Sequence, residues 1–274
     1  MRTKLLVASL ALWACTGAHA FKLHSEHAIV VNDDTGQVLF EKGADAAVPI
    51  ASLTKLITAV VVLDSRPAMD EEIAIDSADV DELKHSTSRV PVGARLSRHD
   101  VLRLALMSSD NRAAAALART YPGGQAAFLG AVQAKLRALG MTNTVIHEAS
   151  GLSPENTSTA ADLAKLAQAA SRYPEIADIT TNVSDVVRMS GRNVVFHNTN
   201  RLVGARGWDI LLSKTGFTNE AGRCLIMRIK QAGKSATLVL LKASGTASRQ
   251  ADALNLRRLI GGELSALKGA PSIR

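Results

Sequence analysis

The sequence predicts an α+β fold: an antiparallel sheet covered by helices, with a mostly helical lobe inserted in the middle of the chain. Three observations carry this expectation. Apolar runs of strand length, punctuated by turn residues, occur near both ends, at 27–40 and 209–242. Between them lie helix-period apolar patterns bounded by capping residues. A last helical pattern, Ser248 to Leu267, follows the final strand runs. That order builds a sheet from both ends of the chain and leaves a helical insertion between its halves. The expected division is a leader at 1–20 and one domain at 21–274, with a sheet-bearing lobe at about 21–76 and 183–274 and a helical lobe at about 77–182. With 274 residues, 47% hydrophobic and 21% charged, the chain is long enough and apolar enough to bury a full core.

The leader combines Arg2 and Lys4 with an apolar run from Leu5 to Cys15 and a small-x-small site, Ala18-His19-Ala20, before Phe21. This reads as a cleaved export signal, because the apolar run is too short to span a bilayer comfortably. Trp13 sits badly for lipid modification of Cys15. No stable membrane anchor is expected, and the mature protein is placed outside the cytoplasm.

Ala28–Val31 and Gln37–Phe40 flank the turn sequence Asn32-Asp33-Asp34-Thr35-Gly36 and read as a β-hairpin. Pro49 then breaks the chain, and an uninterrupted apolar run predicts a buried helix starting at about Ser52. Asp70–Ile75 contains a short strand, Val80–Ser88 a loop or short helix, and Pro91 with Gly93 marks a turn. Arg98–Met107 has a helical apolar face, and Arg112–Arg119 follows with Asp110 or Asn111 as its cap. Gln125–Leu139, closed by Gly140, and Ala160–Ser171, capped by Ser158 or Thr159 and stopped before Pro174, complete the helical block. Strand signals return at Val186–Met189 and Asn193–Phe196. The runs Asp209–Ser213, Arg223–Lys230 and Thr237–Lys242 then form an antiparallel meander.

Composition excludes several roles. The net charge of +7, less Arg2 and Lys4, leaves +5 on the mature chain, which suits anionic partners. Aromatic residues make up only 3%, so stacking platforms for nucleic acid are scarce and no nucleic-acid partner is expected. Of two cysteines, Cys15 leaves with the leader, so Cys224 has no disulfide partner and reads as a buried, inert thiol. His24 and His27 are three apart near the N-terminus and His147 stands beside Glu148, but none has a companion ligand set, and no metal is expected.

Three short motifs carry the chemistry. Ser52 and Lys55 lie three apart at a helix start, so their side chains share one face. A serine hydroxyl needs a base, and a lysine serves once its ammonium form is disfavoured by burial or a nearby cation. The spacing recurs at Ser265 and Lys268, without a companion motif. Ser109-Asp110-Asn111 is the only Ser-x-Asn, and Lys214-Thr215-Gly216 the only Lys-Thr-Gly, placed at the end of an apolar strand where a glycine lets a ligand approach the backbone. The ordered triple is the signature shared by penicillin-binding proteins and serine β-lactamases.

With these motifs, and with the stretches Ala149–Asn156 and Trp208–Cys224, the chain resembles the serine D-alanyl-D-alanine peptidases, the low-molecular-mass penicillin-binding proteins, most of all their endopeptidase type. The likeness covers nearly all of 25–265. It implies an acyl-transfer hydrolase in the periplasm acting on peptidoglycan peptides, inhibited covalently by β-lactams and needing no cofactor. It implies Ser52 as nucleophile, Lys55 as base, Ser109 and Asn111 as groups that position the peptide and relay protons, and Lys214 and Thr215 as holders of the substrate carboxylate. Gly216 and Phe217 belong to the same substrate-binding strand, and the Ser52 and Phe217 amides are implied to form the oxyanion hole. Lys214 close to Lys55 is expected to lower the latter's pKa by like-charge repulsion. Carboxypeptidases of the family often carry a further C-terminal β-rich domain and an amphipathic helix. Because this chain ends soon after the domain's last helix, cleavage of cross-links is favoured over trimming of terminal D-alanine. Two rivals remain: a β-lactamase, which needs a water-activating carboxylate such as Glu148, Glu155 or Glu175, and a wall-binding module without catalysis.

Overall fold

The computed structural model describes residues 22–263. The leader, Cys15, the second Ser-x-x-Lys pair at Ser265 and Lys268, and the end of the expected last helix lie outside the described residues. The chain opens with the hairpin β1 (His27–Asn32) and β2 (Val38–Lys42), then the two-residue strand β3 (Val48–Pro49). A 3₁₀ turn, Ala51–Leu53, leads directly into α1 (Thr54–Asp64). Ser52 therefore sits in a 3₁₀ turn that precedes the α-helix proper. Every residue of α1 from Thr54 to Val62 is buried, as expected for a helix apolar on all sides.

The short strands β4 (Glu72–Ala74) and β5 (Arg95–Ser97) pair with each other and deliver the chain to α2 (Arg98–Met107). Ser97 caps α2 by accepting from the Asp100 amide. Asp110 caps α3 (Asn111–Arg119) in the same way through the Ala113 amide. α4 (Gly124–Ala138) ends before Gly140, which takes a left-handed φ of 63°. β6 (Thr157–Ser158) pairs with β3, and Thr159 caps α5 (Ala160–Ala170). One helix was absent from the sequence reading: α6 (Pro174–Thr181) follows at once, with the proline taken as a terminator standing at its first position.

β7 (Ser184–Met189) and β8 (Arg192–His197) form a separate two-stranded hairpin. The meander β9 (Asp209–Thr218), β10 (Gly222–Gln231) and β11 (Lys234–Ala243) has the expected topology, and α7 (Thr246–Ile260) ends the described chain. Its strands are longer than expected, so Lys214-Thr215-Gly216 lies inside β9 and not at its end. The main sheet has the order β2-β1-β11-β10-β9, all antiparallel, with His27 of β1 opposite Leu241 of β11. Both ends of the chain thus build one sheet.

The central strands are buried on both faces, with side chains alternating between two cores. Ile29, Val31, Ile226, Val239 and Leu241 join the larger core around α1, α2, α3 and α5. Ala28, Val30, Leu225, Met227, Leu238 and Leu240 pack instead against Ala253, Leu256 and Ile260 of α7. β9 is the edge strand on the side of α1, and its outer edge is where the motifs converge.

Candidate active site

The 3₁₀ turn that presents Ser52 is held in a conformation its sequence does not favour. Ala51 has a φ of +47°, a left-handed value rare for a residue with a Cβ. It is tolerated because two glycines pack against it. A Cβ on Gly151 would stand 1.9 Å from the Ala51 carbonyl oxygen, and one on Gly216 would stand 3.1 Å from the Ser52 nitrogen. Only bare backbone fits there. Ser109, from the second motif, is likewise left-handed with a φ of +61°. Strained backbone held by its surroundings is a frequent property of reactive sites.

Lys55 is buried, and its Nζ lies 2.9 Å from Ser52 Oγ, 2.7 Å from Asn111 Oδ1 and 2.7 Å from the Ser150 carbonyl oxygen. Both carbonyl oxygens can only accept. A neutral amine has two N–H groups and one lone pair, so satisfying both carbonyls leaves the lone pair directed at the serine hydroxyl. The geometry orients the base. Burial also lowers its pKa from 10.5 to about 8, against the opposing pull of the Glu148 and Asp110 carboxylates.

Lys214 is as deeply buried, and its Nζ contacts Ser109 Oγ at 2.8 Å and the Thr215 carbonyl at 2.9 Å. Its pKa is held well below the ordinary lysine range, first by burial and then by the charges of Lys55 and Arg249. The repulsion between the two lysines is mutual and disfavours charging both at once, while burial is the largest cause of the lowering at each; at Lys55 the Glu148 and Asp110 carboxylates partly oppose it.

All eight residues singled out in the sequence come together. Ser52, Ser109, Asn111, Thr215, Gly216 and Phe217 line one cleft of about 520 Å³, and the two lysines stand behind its wall. Asn111 differs in detail from the expectation: its Oδ1 accepts from Lys55 and its Nδ2 donates to Ser86 Oγ, so its amide is already engaged in orienting the base. Thr215 Oγ1 donates to Thr199 Oγ1 at 2.7 Å. The Ser52 amide, in the first turn of a helix, has no intrahelical acceptor and stands beside Gly216.

The resemblance marks the stretch 149–156, but the way this loop and Glu148 serve the site was missed. Glu148 accepts from the amides of Ser150 and Gly151 and from Asn156 Nδ2, and the fully buried Asn156 also holds the His147 amide and Thr54 Oγ1. This loop delivers the Ser150 carbonyl to Lys55. Arg249 was missed as well. It is buried at the cleft, its Nη1 donates to the Cys224 carbonyl, and its Nε has no partner. Burial lowers its pKa, and neighbouring Arg223 lowers it further. No periodic pattern marks these residues, because the contacts that tie them to the site reach far along the chain: 25 positions from Arg249 to Cys224, 95 from Lys55 to Ser150 and 102 from Asn156 to Thr54.

The three glutamates a β-lactamase would need are elsewhere engaged or exposed. Glu148 is committed to the loop amides, Glu155 is solvent-exposed near His147, and Glu175 is exposed on α6. His24 and His27 contact Asp252 and the Gly43 carbonyl. Cys224 is buried, its thiol pushed up to about 11. Among the described residues no helix is long and apolar enough to cross a membrane.

A buried, partly neutralised lysine against a serine on a strained turn, facing an edge strand with a second lysine, defines a serine hydrolase of the acyl-transfer class. The chain belongs to the family described as D-alanyl-D-alanine carboxypeptidase, which matches residues 14–245. It is 47% identical to a D-alanyl-D-alanine endopeptidase of Pseudomonas aeruginosa over 252 residues, covering 91% of this chain and 81% of that protein. It is 45% identical to the D-alanyl-D-alanine endopeptidase of Escherichia coli, covering 90% and 80%. The Streptomyces K15 DD-transpeptidase superposes with a TM-score of 0.83 at 26% identity, covering 89% of this chain and 99% of that one. Penicillin-binding protein D2 of Listeria monocytogenes, solved in a cefotaxime-bound form, superposes at 0.75 with 28% identity, covering 87% and 98%.

Proposed function

We propose that the protein is a penicillin-sensitive DD-endopeptidase that cuts D-alanyl cross-links in peptidoglycan from the periplasm. The observation that carries the mechanism is the 2.9 Å approach of Lys55 Nζ to Ser52 Oγ, with two carbonyl oxygens at 2.7 Å to take the amine's N–H groups. The endopeptidase assignment is supported by the names of the relatives at 45–47% identity.

In this reading the unpaired outer edge of β9 receives the substrate backbone as an added strand. The carboxylate beside the scissile bond is held by Lys214, Thr215 and Arg249, and its approach draws the depressed Lys214 amine back to ammonium. Ser52 Oγ attacks the D-alanyl carbonyl carbon and passes its proton to Lys55. The oxyanion is met by the Ser52 and Phe217 amides. Collapse breaks the C–N bond, and the leaving amine takes a proton relayed through the Ser109 hydroxyl. Water then attacks the Ser52 ester and frees the donor peptide as a carboxylic acid. Among the described residues no carboxylate lines the cleft with Ser52 to activate that water, so a penicillin adduct is long-lived, which favours a peptidase over a β-lactamase.

Digestion of purified cross-linked muropeptides, with product masses read out, tests the assignment. Loss of dimers without release of free D-alanine is expected. Free D-alanine with intact dimers would instead make the protein a carboxypeptidase. Ser52→Ala should abolish labelling by a fluorescent penicillin, and retained labelling would remove Ser52 from the role of nucleophile.

A further inference from the structure

Beyond Thr199 the active-site cleft does not end. A second groove, of about 650 Å³, opens on the far side and shares both Thr199 and Arg201 with the cleft. Its remaining lining is Val183, His197, Asn198, Asn200 and Val203. The walls are pre-built. Asn198 Nδ2 donates to the carbonyls of Thr180 and Asn182, Asn198 Oδ1 accepts from the Asn200 amide, and the Thr199 amide donates to the Met107 carbonyl. Val183 is left exposed at the groove, although it is a large apolar residue.

The charge at this junction has no internal counterpart. Arg201 is exposed, and among the described residues it has no carboxylate, carbonyl or ring partner. Arg223, from the strand next to β9, lies with its guanidinium 3.7 Å above the Phe217 ring and also has no ion pair among the described residues. One carboxylate in the cleft is accounted for by Lys214 and Arg249. Two further guanidinium groups lining the cleft, Arg201 and Arg223, exceed what a lone D-alanine leaving group would engage, because it carries a single carboxylate. The amine side of a cross-link is different. It belongs to a residue inside a second peptide, which has its own side chain and further carboxylates.

We propose that the groove beyond Thr199 receives the second peptide of a cross-linked substrate, and that Arg201, on the rim between the two cavities, binds a carboxylate of that peptide. This rests on the endopeptidase reading. Arg201 is then a specificity-determining residue that favours dimers over monomers, acting by charge attraction across a partly exposed rim.

The test compares full-length wild-type protein with Arg201→Ala, Arg201→Glu and Arg201→Lys on two substrates: a cross-linked muropeptide dimer, and a fluorescent penicillin, which has no second peptide. The ratio of dimer kcat/KM to penicillin acylation rate should fall about three- to fivefold in Arg201→Ala and roughly tenfold or more in Arg201→Glu, while Arg201→Lys keeps most of it. The salt dependence of dimer cleavage should flatten in Arg201→Ala. An unchanged ratio in Arg201→Glu, or a parallel fall in both rates, overturns the proposal. These failures differ from failure of the endopeptidase reading itself, in which wild-type protein leaves dimers intact.

Discussion

Glu148 and Lys55 are coupled through one residue: the Glu148 carboxylate binds the Ser150 amide and hydroxyl, each at 2.6 Å, and the Ser150 carbonyl accepts from the Lys55 amine. Glu148 also favours the charged form of Lys55, against the burial that lowers its pKa to about 8. The acidic group that builds the base's socket therefore also holds back its activation.

Penicillin acylation should rise with pH with a midpoint near 8, because only the neutral amine accepts the Ser52 proton. In Glu148→Gln the ammonium loses its favourable neighbour, so the midpoint should move to lower pH even if the maximal rate falls. Acylation rates measured across the pH range decide this, and an upward shift would reverse the assigned electrostatics. The same shift affects stability. Folded Lys55 titrates below its unfolded value of 10.5, so between about 8 and 10.5 the unfolded chain binds more protons and folding strengthens as pH rises. Compared with Lys55→Met, the wild type should gain roughly 3 kcal/mol across that window in denaturant titrations.

Gly151→Ala should fail where Gly93→Ala succeeds. Both glycines have a φ of +85°, but a Cβ at 93 meets nothing within 4 Å, whereas at 151 it would collide with the Ala51 carbonyl at 1.9 Å. Gly93→Ala should cost only backbone strain, about 1 kcal/mol. Gly151→Ala should cost well over about 3 kcal/mol, or prevent folding, and should abolish acylation by displacing Ser52. Thermal melts with penicillin labelling separate the two.

Asn156→Ala should destabilise by about 3 kcal/mol, because it strips partners from the His147 amide, Thr54 Oγ1 and Glu148 at a fully buried position. Acylation should slow as the Ser150 carbonyl loses its support. A melt unchanged from wild type would refute this account of the loop.

Cys224 should resist alkylation in the native protein at neutral pH and react fully only on unfolding. Its thiol is buried, donates to the Ala221 carbonyl and titrates at about 11. Rapid native labelling would mean that the β9–β10 region opens.

The parts of the molecule legible in its sequence are those whose signals are local. An apolar face placed α2, and caps placed α3 and α5 to within a residue or two, because Asp110 and Thr159 each act three positions from the amide they bind. The Ser52–Lys55 pair was legible because one helical turn joins its members. Pro174 misled, since proline stops one helix and starts another by the same missing N–H. The strand signals at 184–197 were real but did not reveal that β7 and β8 pair only with each other. Ser86, Asn156, Thr199 and Arg249 are single polar residues without periodicity, and their importance lies in partners distant in sequence. The balance of charges at Lys55 was not legible, because Glu148 and Asp110 are brought near its amine only by the fold.

The pairing of β1 with β11 gives the protein a temporal order. A chain made from its N-terminus exposes the Ser52 segment long before Lys214, Gly216 and the edge strand exist, and β1 waits some two hundred residues for the neighbour that fixes it. A nascent or truncated chain ending before β9 holds the nucleophile and its base but lacks the strand that completes the cleft. The pairing of the last strands with β1 is thus the step that arms the hydrolase.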